Sequence, residues 1–272
     1  MTAMTIDRNP SVFRQWWVLT VRLITPTLRN GEVFTAILTP VVFTVGFYIP
    51  LNLVMSFPKD NPPHHMSSFA QFLMPMIVLQ ALAFSAISAA FRAATDTVDG
   101  INKRFGSMPI GTGVPLAARM SANMYRCVIS IAAAIVCGYV IGFRFENGPL
   151  YTAGFLLFAL AVGAALSLGA DVIGSLSKSP EATTQSLTLP QLILGMLSAG
   201  FLPASQFPDW IEGFVRNQPV SQFAYGMRAL AGDTTDGAGV VDWPTMGPPL
   251  AWVIGLVVVF APFAVYVTSR RP

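Results

Sequence analysis

Two ionisable side chains stand inside long hydrocarbon runs: Arg126, in MYRCV, and Asp171, in GADVIG. A lone charge in hydrocarbon costs at least a few kcal/mol, so each needs a partner or a route to water. Counting along antiparallel neighbours puts both in the same third of the membrane. They are expected either to pair with each other or to snorkel separately to the interface. A denser polar stretch lies at Phe91–Arg119, FRAATDTVDGINKRFGSMPIGTGVPLAAR, with Arg92, Lys103, Arg104 and Arg119 beside Asp96 and Asp99. The catalytic inventory is thin. None of the three lysines follows a glycine, so no GxxxxGK[ST] phosphate loop exists, and HExxH and GxSxG are also missing. His64 and His65 are adjacent, without further ligands, and read as a solvated loop rather than a metal site. Cys127 and Cys137 are about 15 Å apart along a helix, too far for one disulfide, and read as packed helix residues.

The elements that carry these residues are membrane spans. The 272 residues are 53% hydrophobic and only 11% charged, where a soluble domain carries roughly a quarter charged residues. The net charge of +3 is spread along the chain, and no basic block is interleaved with aromatics, so no nucleic-acid partner is expected. Six apolar runs, near 33–57, 69–91, 117–143, 150–175, 185–204 and 248–268, each approach the roughly 20 residues needed to cross. Prolines 40, 50, 75 and 190 fall inside them, as in kinked, packed helices whose neighbours satisfy the freed carbonyls. The third run carries Ala134, Gly138 and Gly142, a spacing that lets two helices approach. Residues 11–25 form a helix before the first span, with Val12, Trp16, Leu19 and Leu23 on one stripe, Arg14 and Arg22 off it, and Pro26 as a stop. Such a helix suits the inner membrane surface. The first run is long and preceded by arginines, so it is expected to be a retained span rather than a cleaved signal.

Placement of Lys and Arg sets the orientation. With the N-terminus in the cytosol, that side holds Arg8, Arg14, Arg22, Arg29, Arg92, Lys103, Arg104, Arg119, Lys178, Arg270 and Arg271. The outer side holds Lys59, Arg144, Arg216 and Arg228. Both termini are therefore expected in the cytosol, with residues 92–116 forming a cytosolic loop. The outer segment 205–247 is amphipathic: Trp210 and Phe214 lie one turn apart, and Val220, Phe223, Met227 and Leu230 make a second stripe after Pro219. It reads as two short helices dipping into the outer leaflet's interface, in preference to an ordinary folded loop.

A chain of this kind is a transporter, a channel or a scaffold. A carrier driven by an ion gradient usually places several titratable groups at midplane. This chain offers only Arg126 and Asp171, both off-centre. That favours work done by a partner over an ion-coupled carrier or channel acting alone.

Four stretches then resemble the ABC-2 type permeases, in the daunorubicin-resistance branch of ABC exporters. They are NGEVFTAILTPVVFTVGFYIP in the first span, FRAATD and NKRFGSMPI after the second, CGYVIGFRF closing the third, and FPDWIEGFVRNQPVSQFAYGMRALAGDTT before the sixth. The resemblance covers nearly the whole chain and is close to the mycolipid-exporting subset. It implies an all-α integral membrane fold: a single domain over 1–272 with six transmembrane helices, an N-terminal interfacial helix, a cytosolic coupling helix and short outer re-entrant helices. It implies a permease subunit that is not itself an enzyme and holds no cofactor, with ATP and Mg on a partner. That partner is an ABC ATPase in two copies, joined by a second permease, identical or paralogous. The cargo implied is a lipid such as a phthiocerol dimycocerosate, or a hydrophobic drug such as an anthracycline, moved outward across the plasma membrane.

By the same resemblance the coupling segment maps to Thr95, Asp96, Asp99, Lys103, Arg104, Phe105 and Met108, and the outer short helices to Trp210, Phe214, Phe223, Tyr225, Met227 and Arg228. Many relatives carry an Arg-Glu-x-Gly-Thr pattern in the coupling segment, where this chain has Thr95-Asp96-Thr97-Val98-Asp99-Gly100.

Overall fold

A computed structural model describes residues 11–29, 31–51, 68–107, 110–111, 113–233 and 240–269. These are helical almost throughout. The helices are α1 (Val12–Arg29), α2 (Glu32–Phe43, prolonged to Leu51 through a π-turn at Thr44–Tyr48), α3 (Phe69–Val98), α4 (Ile101–Gly106) and α5 (Val114–Val140). There follow α6 (Pro149–Leu176), α7 (Pro180–Met196), α8 (Asp209–Asn217), α9 (Pro219–Ala231) and α10 (Trp243–Ser269).

Local chemistry fixes the ends. Ser68 and Ser179 begin α3 and α7, each hydroxyl accepting from the backbone N–H three residues on. Asp242 does the same for α10, accepting from the Thr245 amide at 2.9 Å; the Thr245 hydroxyl first, and then that amide, hold its carboxyl below the usual carboxylate range. Pro149, Pro180 and Pro219 occupy first-turn positions where a missing N–H costs nothing. Gly100, at φ 68°, turns the chain from α3 into α4.

α3 is the centre of the bundle. It packs against α5, α6, α7 and α9, and nearly all of its apolar length is buried. Small residues permit the close crossings: a Cβ on Gly174 of α6 would lie 2.2 Å from the Ala90 carbonyl oxygen, so only glycine fits there. Ala134 and Gly138 of α5 serve the same purpose, with Gly138 against Met74. Gly142, expected on the same stripe, instead lies past the helix end at φ 100°. Cys127 and Cys137 are both free thiols. In α2 and α10 large apolar side chains such as Phe34, Val42, Ile254 and Phe263 point outward, as lipid-facing helices require.

Among the described residues five helices are long and apolar enough to cross a membrane: Glu32–Leu51, Phe69–Val98, Val114–Val140, Pro149–Leu176 and Trp243–Thr268. The remaining expected span, 185–204, is α7, which begins earlier and stops at Met196 after 17 residues. That is about 25 Å, short of a hydrocarbon core of roughly 30 Å. The chain turns instead into a buried Ser198-Ala199-Gly200 segment, where Gln218 donates to the Leu194 and Leu197 carbonyls.

Two further expectations change. Pro26 does not stop α1; the helix runs on to Arg29, and the Thr25 and Thr27 hydroxyls bond back to the Val21 and Leu23 carbonyls. α3 overruns its expected end at residue 91, because the Ala- and Thr-rich segment to Val98 continues the helix. Residues 52–57 of the expected first span, with His64 and His65, lie outside the described residues.

Candidate functional site

At one end of the bundle, α1, the start of α2, the end of α3, α4, the start of α5 and the end of α6 surround a cavity of about 220 Å³. We call this the charged end. Its lining includes Arg22, Glu32, Arg92, Asp96, Arg119, Arg126 and Asp171, with Ile101 and Phe105 of α4.

The side chains are cross-linked through shared acceptors. Glu32 Oε2 accepts from Arg126 Nε at 2.9 Å and from Arg92 Nη1 at 3.1 Å. Asn123 Oδ1 accepts from both arginines, 3.1 Å each. Arg126 also donates to the Thr27 hydroxyl. Four helices, α1, α2, α3 and α5, are thereby tied through one carboxylate oxygen, one amide oxygen and one hydroxyl. Alongside, Arg119 donates from Nη2 to Asp171 Oδ2 at 3.1 Å and pairs in charge with it, Nε standing 3.0 Å from Oδ1, which joins α5 to α6. A charge-assisted bond of this kind is stronger than one between neutral groups. Asp171 is almost wholly buried, and a buried carboxylate without its cation would cost about 3–5 kcal/mol.

Arg126 and Asp171 are therefore not each other's partners. Asp171 meets Arg119, two turns along α5 from Arg126, while Arg126 meets Glu32. Arg119 stands inside α5 rather than at the edge of a loop, and that register decides the pairing. A signal was present: Arg119, Asn123 and Arg126 recur at steps of four and three, a polar stripe on an otherwise apolar helix.

The segment 95–108 divides between two helices. Thr95 and Asp96 ride on the last turns of α3, where the Thr95 hydroxyl bonds back to the Phe91 carbonyl and Asp96 faces the cavity. Asp99 is exposed where α3 ends. Arg104 is exposed on α4, and Phe105 is turned inward to line the cavity. Met108 and the Lys103 side chain lie outside the described residues. α1 packs along α5, with the Trp16 indole donating to the Ser121 hydroxyl at 3.0 Å. Phe13, Trp17 and Val21 project from its other side.

The outer short helices form as α8 and α9 but behave differently from each other. Trp210 and Phe214 of α8 are 83% and 52% exposed, as an interfacial helix requires. The stripe of α9 instead faces the protein: Phe223, Met227 and Leu230 join the main core, packing onto α3, α6 and α10. Tyr225 is partly buried beside the small cluster of Ala199, Ala204 and Val215. Arg228, counted from sequence as an outer-loop charge, is 1% exposed. It donates to the Phe72 and Gly200 carbonyls at 3.0 Å each and lies over the Phe72 ring, with Asp233 at 3.8 Å.

Residues 45–266 match the family described as ABC-2 family transporter protein. The chain is 47% identical over 267 residues, 98% of its length and 92% of the relative's, to the doxorubicin resistance ABC transporter permease protein DrrB of Mycobacterium tuberculosis. It is 26% identical over 242 residues to that organism's probable doxorubicin resistance ABC transporter permease protein DrrC, covering 89% of this chain and 83% of the relative. It is 27% identical over 194 residues to the daunorubicin resistance ABC transporter permease protein DrrB1 of Streptomyces coeruleorubidus, covering 71% and 66%. On this match and these identities, the chain belongs to the ABC-2 family of transporter permeases, in the daunorubicin-resistance branch.

Proposed function

We propose that this permease forms half of an export conduit for a hydrophobic drug or lipid, driven by ATP and Mg bound on a separate ABC ATPase. Two ATPase copies engage two permease subunits, the second a copy of this chain or a paralogue. The pairing of DrrB and DrrC names among its relatives favours the paralogue. Both termini and α4 face the cytosol, six segments cross the plasma membrane, the fifth of them α7 prolonged by the buried turn that follows it, and α8 lies at the outer interface. Doxorubicin is the first cargo to test, because the relatives' names carry it.

The observation that carries this reading is the shared cavity. α4, a short helix in a cytosolic position, puts Phe105 into the same chamber that holds Arg92, Arg119, Arg126 and Glu32. A push on α4 is therefore delivered to the ends of α3 and α5 and, through Asp171, of α6. The mechanism is mechanical: nucleotide-driven closure of the ATPases shifts α4, the shared-acceptor network rearranges, and the spans change the gap to the second permease. A walled path with few charges suits an apolar or polycyclic aromatic cargo.

The test is the pair Asp96→Lys with Asp99→Lys. The variant is expected to insert normally and to lose ATP-dependent doxorubicin efflux at least tenfold, measured in cells co-expressing the ATPase. Normal efflux would remove α4 and its flanks from coupling.

A further inference from the structure

A second hollow lies away from the charged end, between α3, α6, α7 and α10. It is an open groove of about 200 Å³. An apolar cavity of roughly 150 Å³ suffices for one benzene ring, so this one takes a ring or a stretch of chain. Small residues hollow it out, Ala83 and Ala86 of α3 with Ala165 and Gly169 of α6, between larger apolar side chains such as Ile87, Leu256 and Phe260. Gly169 eases the close approach of α10, since a Cβ there would stand 3.1 Å from the Phe260 ring. A groove of this shape in a membrane protein would ordinarily be filled by the tail of any neighbouring lipid.

One side chain argues against that. Gln191 of α7 lines the groove as its one polar member. Its Nε2 donates to Gln80 Oε1 of α3. Its own Oε1 is buried and finds no donor among the described residues. Gln191 stands about 17 Å along α7 from its first residue, well inside the apolar layer. An amide carbonyl left without a donor in hydrocarbon costs free energy comparable to a lost hydrogen bond. A phospholipid tail has no donor to offer.

We propose that this groove is a binding site for an apolar molecule carrying one O–H or N–H group, which donates to Gln191 Oε1 while the apolar walls hold its body. Phenolic polycycles and hydroxylated long-chain lipids share this chemistry. That the groove is where cargo leaves the lipid phase rests on the function proposed above; the binding itself does not.

The test uses the full chain in phosphatidylcholine vesicles, with no ATPase and no nucleotide, so its outcome is separate from that of any export assay. The probe is hexadecanol carrying a photoactivatable diazirine, compared with its methyl ether, and labelled residues are mapped by mass spectrometry. The alcohol is expected to label α3 and α10 around the groove about fivefold more than the ether, the size of one interhelical-type hydrogen bond in a membrane. Gln191→Leu, checked for folding by thermal melting, should erase that preference and leave ether labelling unchanged. Ala83→Phe should reduce labelling by both.

Competition by 2-hydroxyanthracene but not 2-methoxyanthracene supports the site with a polycyclic occupant. Competition by unlabelled hexadecanol alone supports it with a lipid one. Equal labelling by alcohol and ether in the unaltered chain, a preference that survives Gln191→Leu, or no competition by either alcohol or phenol overturns the proposal.

Discussion

The two ends of the bundle each bury arginine, and they do so in opposite ways. At the far end Arg228 grips backbone: its guanidinium donates to the Phe72 and Gly200 carbonyls and stacks on a phenyl ring. Main-chain acceptors cannot turn away, so this contact pins α9 to the start of α3. At the charged end Arg92 and Arg126 share side-chain acceptors, Glu32 and Asn123, beside a cavity. Side chains on four helices can exchange partners there without breaking backbone structure. The same residue type thus serves as a rivet at one end and as a movable linkage at the other.

Substitutions at the two ends should separate these roles. The largest loss of stability is expected from Arg228→Met, which strands the buried Gly200 carbonyl, removes a second donor from the Phe72 carbonyl and takes away the cation beside Asp233. A cost on the order of 3–5 kcal/mol follows from such buried groups, read as a clear fall in the melting temperature of the detergent-solubilised chain. Next comes Asp171→Ala, which leaves Arg119 buried without its carboxylate at a cost of about 3 kcal/mol. Pairing Arg119→Leu with Asp171→Leu should recover most of that, and a double-mutant cycle by thermal unfolding measures the coupling. If Asp171→Ala and Arg126→Ala instead proved coupled, the assigned pairing would be wrong.

The smallest stability effect belongs to Glu32→Gln. Gln keeps an oxygen acceptor in place, and Arg126 retains Asn123 and Thr27, so only the charge of a one-third exposed carboxylate is lost, at a cost on the order of 1–2 kcal/mol. Its effect on ATP-driven efflux should be far larger than its effect on melting. A variant that melted like the parent and exported like the parent would reduce the network to ordinary packing.

Much of this architecture was legible in the residues. Hydrocarbon runs gave the long helices, because length and apolarity report a crossing segment directly. The amphipathic pieces around Trp210 and Phe223 were recognisable as short helices from their spacing. What failed was angular and terminal. Whether the α9 stripe meets lipid or protein depends on its neighbours, which periodicity does not encode, so Phe223, Met227 and Arg228 turned out to be core. The end of α3 was misjudged because the apolar run stops near Phe91, while the helix propensity of Ala93 and Ala94 carries the helix on to Val98. α7 stopped early because the Gln218 amide and the Arg228 guanidinium, more than 20 residues later, capture the Leu194, Leu197 and Gly200 carbonyls. The Arg126 partner was missed for a similar reason: a helix register of seven residues separates it from Arg119, and only packing decides which one faces α6.

The central claim is that this chain supplies a conduit and a mechanical linkage while the energy comes from elsewhere. Reconstitution into sealed vesicles tests it most directly, by following uptake of a fluorescent polycyclic drug with the chain alone and with its ATPase partner. The account predicts uphill uptake only with the ATPase and ATP, abolished by Glu32→Gln without loss of the assembled complex. Uphill uptake by the chain alone, without nucleotide, would contradict it.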